Sequence, residues 1–141
     1  MRNIIGTCLI IFFVQAFAEQ SFDEIVQQCS ASAGIEANLV DRNIDKKLHI
    51  TTGNTDINNY IECVARAMGS IVKDEFDFVL IKKEMIAKLM PIMSQGKEIT
   101  NADELADKAI AKCKNIVASS LGDRMIKFHN CVVDVIAESK V

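Results

Sequence analysis

Four of the five cysteines and both histidines are the residues of this chain with the most chemistry to offer. Cys29, Cys63, Cys113 and Cys131 are separated by 33, 49 and 17 residues. Zinc sites need short paired spacings such as Cys-x2-Cys, so this pattern argues against a metal. Four cysteines spread over a secreted chain instead predict two disulfides, and spacing leaves all three pairings open. His129 falls on the apolar side of a predicted helix. It reads as a pH-sensitive element or as a structural histidine, since imidazole titrates near neutrality. His49 sits in a polar stretch and reads as surface. Catalysis has no signature: Gly-x-Ser-x-Gly, His-Glu-x-x-His, a Cys–His pair and a Gly-rich phosphate loop are all missing, and Ser119-Ser120 has no partner motif. The chain is therefore not read as an enzyme, and no cofactor is implied.

Secretion is inferred from the leading segment. Arg2 supplies a positive start, Ile4 to Val14 is uncharged, and Ala16-Phe17-Ala18 is a small-x-small cleavage site. Residues 1–18 thus read as a signal peptide and 19–141 as one domain. The apolar run is shorter than the ~20 residues a bilayer span requires. Removing the leader takes Cys8 and Arg2 with it, leaving the four cysteines above. No Asn-x-Ser/Thr sequon occurs. The whole chain has 16 basic and 19 acidic residues with no basic cluster, which excludes a nucleic-acid partner.

The elements that carry these residues are helical. Six glycines and one proline in 141 residues, with 50% hydrophobic content, favour a helical globule. Phe22, Ile25, Val26, Cys29 and Ala33 recur at helical spacing behind a Ser21/Glu24 capping box, with Gly34 as the stop. A charged, weaker helix is predicted over 38–48, then a loop over 49–54. Thr55 or Asp56 caps a helix ending at Gly69, and 74–77 reads as a turn. Residues 78–93 form a helix kinked or ended by Pro91. Thr100 or Asn101 caps the next, with Leu105, Ala109, Cys113 and Ile116 inward. Leu121-Gly122 breaks it and Asp123 caps a last helix, apolar on two faces and so central. No segment alternates at period two. The fold class is all-α, a compact bundle of five to six helices.

The cysteine positions resemble those of the insect odorant-binding proteins, the pheromone- and general-odorant-binding family. That family has six cysteines, three residues between the second and third and eight between the fifth and sixth. Counting back from Cys63 and Cys131 lands on Asn59 and Gly122, so this chain resembles the four-cysteine, "minus-C" branch. The stretch 59–64 through Gly69 resembles the family's third-helix region. The resemblance implies Cys29–Cys63 and Cys113–Cys131 pairing around an apolar cavity. It also places Asn59 and Gly122 within the ~7 Å that a disulfide spans.

The resemblance further implies a secreted, extracellular carrier of small hydrophobic molecules, with a membrane chemoreceptor as a further partner and a monomer or weak homodimer as its state. Met68, Phe76, Phe78, Met85, Leu89, Ile110, Val117, Phe128 and Val132 are the candidate ligand-lining residues. Methionine suits such a lining because its unbranched thioether adapts to several shapes, although a methionine stripe also serves as ordinary core. Tyr60 or a Ser/Thr hydroxyl is a candidate to orient a ligand. The competing reading is a secreted helical signalling or interaction protein without a cavity.

Overall fold

The computed structural model describes residues 21–139; the signal-peptide reading of 1–18 lies outside them. Helix α1 (Phe22–Ala33) starts as its sequence dictates: Ser21 Oγ accepts from Glu24 N–H, and the Glu24 carboxylate accepts from Ser21 N–H. Gly34, at φ 71°, ends it in the left-handed conformation that glycine adopts without strain.

The helix predicted over 38–48 is not formed. Only a 3₁₀ turn, Asp41–Asn43, is present, followed by an irregular strap in which Ile44 bridges Ile50. Local side chains compete with the helix here. Asn43 donates its amide to Leu39 O at 2.8 Å, and Asp45 Oδ1 accepts from both Lys47 N–H and His49 N–H. Leu48 is held at φ 72°, a conformation unusual for a bulky residue.

Helix α2 (Thr55–Met68) is capped by Asn54, whose side chain accepts from Ile57 N–H, rather than by Thr55 or Asp56. The expected absence of strands is also corrected. Strands β1 (Ile71–Val72) and β2 (Glu75–Phe76) form a minimal antiparallel hairpin. Lys73 and Asp74, at φ 51° and 66°, supply the two left-handed residues of a tight hairpin turn.

Helix α3 (Phe78–Glu84) runs through a π-helical segment (Met85–Leu89) into α4 (Met90–Met93). The wide segment leads up to Pro91, whose ring clashes with a normal preceding turn and has no N–H to give. Helix α5 (Ala102–Cys113) precedes the longest helix, α6 (Leu121–Glu138). Ser120, not Asp123, is the cap of α6, and Gly122 lies inside its first turn instead of breaking the chain.

Helix α6 lies at the centre, packed against α2 and α5, while α1 packs on α2. Its faces bury Met125, Ile126, Phe128, Val132 and Ile136 among others. Disulfides Cys29–Cys63 and Cys113–Cys131, with S–S distances of 2.03 and 2.01 Å, tie α1 to α2 and α5 to α6. This is the pairing the resemblance implied. The chain folds as a compact, mainly helical domain with two disulfides.

Candidate ligand-binding site

Most of the proposed lining residues lie in the core. Met68, Met85, Leu89, Phe128 and Val132 are fully buried, Phe76 nearly so, and Phe78 and Ile110 are half-buried against the same core. Val117 does not join them. It is 89% exposed on the loop between α5 and α6, because α5 ends at Cys113 instead of continuing through residue 116. The early stop follows from the start of α6. Asp123 accepts from Ser119 N–H and Ser119 Oγ, and Ser120 Oγ accepts from Asp123 N–H, which turns the chain before Leu121. The Ser119 hydrogen bonds, aided by Lys127, hold the Asp123 carboxyl below its ordinary pKa.

Three of the candidates meet as one aromatic cluster. Phe76, Phe78 and Phe128 approach pairwise with centroids 5.8, 5.8 and 5.7 Å apart, edge-on or tilted, as aromatic pairs prefer. The hairpin delivers Phe76, the start of α3 delivers Phe78, and α6 delivers Phe128. Arg124, not singled out by sequence, lies 4.4 Å over the Phe76 ring and donates to Lys114 O at 2.7 Å. That guanidinium seals the cluster from the α5–α6 loop.

Among the grooves on the described surface are two larger ones, and neither is lined by any of the nine candidates. One, of about 690 Å³, runs between residues 94–101, the first two turns of α5 and Ser139; Ile99 and Leu105 stand among polar side chains, and its open surface is more apolar than polar. The other, of about 570 Å³, lies between the strap, the turn after α4 and the end of α6. Its apolar surface comes from Leu48, Ile92, Met93 and Val133, with Lys46, Lys47, His49 and Asp134 around it.

The strap wall of this second groove is fastened to α6 by three successive contacts. His129 Nε2–H donates to Leu48 O at 2.8 Å. Asn130 both accepts from Ile50 N–H at 2.8 Å and donates to Ile50 O at 2.9 Å, as a strand neighbour would. Asp134 Oδ1 lies 2.6 Å from His49 Nε2, and Asp45 holds the other ring nitrogen at 3.4 Å. His49, read as plain surface, is thus a joint between strap and helix. Burial pushes the His129 imidazole down to about 4, against a smaller opposing effect of the Leu48 hydrogen bond. His129 is therefore a neutral, structural donor at pH 7. Tyr60 is buried on α2, and that burial, with the Asp41 charge second, pushes its phenol up to about 12.

Among the described residues no helix is long and apolar enough to cross a membrane. The family model of the PBP/GOBP family matches residues 13–134. Comparisons with curated proteins and with solved structures found no match.

Proposed function

The chain belongs to the PBP/GOBP family, the insect odorant- and pheromone-binding proteins, and from that premise we propose that it is a secreted carrier of small hydrophobic molecules. Members of this family are binding proteins rather than enzymes, and their ligands are small and hydrophobic. The observation that carries the reading to this chain is the Phe76–Phe78–Phe128 cluster, set in a core shared with Met68 and Met85. Rings and thioethers of this kind exchange contacts with one another for contacts with a guest at little cost in dispersion energy. Met68, Phe76, Phe78, Met85, Leu89, Ile110, Phe128 and Val132 are the proposed lining; Val117, on the surface, is left out. The proposal includes the four-cysteine subtype, delivery to a membrane chemoreceptor, and a monomeric or weakly dimeric state.

The direct test is uptake of a fluorescent apolar probe by delipidated protein. A carrier takes up one equivalent with micromolar affinity, and Phe128→Ala weakens it severalfold. A chain that takes up no probe is an interaction protein, not a carrier.

A further inference from the structure

The second groove differs from the first in how it is built. Its volume of about 570 Å³ is within the range of small-molecule sites. One wall is a strap fixed in advance by His129, Asn130 and Asp134, with Leu48 held in a strained backbone conformation so that it faces the groove. Val133, 1% exposed, forms its floor with Ile92 and Met93. Around this apolar surface the charges are unevenly used. His49 pairs with Asp45 and Asp134, and Glu138 pairs with Lys112. Lys46 and Lys47 take part in none of these ion pairs, although both line the groove. An apolar trough with two ammonium groups at its strap end that make no ion pair among the described residues complements one kind of molecule.

We propose that this groove binds a single-chain amphiphile with an anionic head, the chain lying on Leu48, Ile92, Met93 and Val133 and the head beside Lys46 and Lys47. The proposal rests on the carrier reading and adds to it a second site, separate from the Phe76–Phe78–Phe128 lining, with its own ligand class. The apolar chain supplies the affinity. The two exposed lysines supply discrimination, which for solvent-screened pairs amounts to roughly three- to tenfold in total. An unbranched carboxylate is the simplest ligand of this description.

The experiment compares sodium decanoate with 1-decanol, two molecules of equal chain length, by calorimetric titration of the intact, disulfide-bonded protein at pH 7.4. Decanoate should bind roughly three- to tenfold more tightly at low salt, with the preference shrinking at high salt as surface charges are screened. Amide resonances of residues 46–49 and 92–95 should shift with decanoate. In Lys46→Gln with Lys47→Gln the preference should vanish while 1-decanol binding is unchanged. Ala137→Trp, an exposed position inside the groove, should abolish the shifts at 46–49. Decanol binding without a preference for decanoate, or a preference that survives the double lysine change, overturns the anionic site while the carrier reading stands. Sedimentation with phosphatidylglycerol vesicles and no uptake of monomeric decanoate overturns it in favour of a membrane surface. Uptake of neither ligand overturns the carrier reading as well.

Discussion

Gly122 of α6 presses on the backbone of Asn58 in α2: a β-carbon at position 122 would sit 1.9 Å from the Asn58 carbonyl oxygen and 2.6 Å from its carbon. Two central helices cross here with no side chain between them. Replacing a helical glycine by alanine ordinarily stabilises by up to about 1 kcal/mol. At this crossing the sign reverses. Gly122→Ala should destabilise by roughly 3 kcal/mol or more through overpacking, read as a fall in thermal midpoint. The same contact bears on the Asn59–Gly122 pair. Gly122 packs on Asn58, the residue before Asn59, and a side chain at 122 has no room there, so Asn59→Cys with Gly122→Cys should not form a strain-free bridge.

His129 makes stability depend on pH in a defined window. Its folded value is about 4 against an ordinary 6.5, so the unfolded chain takes up the proton first. Its contribution is complete above about pH 7 and is lost as pH falls from 6.5 towards 4, amounting to about 3 kcal/mol. A charge on neighbouring His49 adds to the burial effect that disfavours protonation of His129. Chemical denaturation of wild type and His129→Gln from pH 7.5 to 4 checks this. The variant should be less stable at pH 7 and show a shallower loss on acidification.

Asn130 of α6 pairs with both backbone groups of Ile50. Asn130→Ala leaves that N–H and C=O without their partner, at a cost of about 1–3 kcal/mol if the backbone stays buried. The strap should loosen before the bundle does. Hydrogen exchange should accelerate at Ile50, with little change at the centre of α6.

The two disulfides close separations of 34 and 18 residues. Chain entropy assigns each roughly 3–4 kcal/mol. Cys29→Ser with Cys63→Ser should lower the thermal midpoint at least as much as Cys113→Ser with Cys131→Ser, because its loop is longer.

How much of this was legible follows the range of the interactions. Helices α1, α2, α5 and α6 announce themselves through apolar spacing and through caps such as Ser21/Glu24 and Gly69, all local signals. The strap is not local: Asn130 lies 80 residues from Ile50, and nothing near Leu48 signals a positive φ. The hairpin strands are two residues each, too short for any period, and Lys73-Asp74 lacks the usual Asn-Gly mark. Val117 was misplaced because Ile116 and Val117 extend the apolar rhythm of α5, whereas the Ser119–Ser120–Asp123 capping bonds stop it. That serine pair followed by an acid was the available signal. The Phe76, Phe78 and Phe128 rings were named individually, but their meeting, and Arg124 over it, depended on the tertiary fold.

The aromatic cluster offers a prediction that separates packing from binding. Phe128→Leu keeps an apolar side chain and removes two ring–ring contacts, costing about 1–3 kcal/mol of stability. Probe affinity should fall with it if the cluster lines the ligand site, and should hold if the ligand lies elsewhere.

The central claim is that the folded chain carries a small hydrophobic molecule, and native mass spectrometry of the protein isolated from the fluid it occupies tests this most directly. The account predicts a one-to-one complex with a small apolar or amphipathic molecule, lost on delipidation and restored on adding the extracted ligand. A chain that appears only as the bare polypeptide, and that stays bare when offered its own lipid extract, would contradict it.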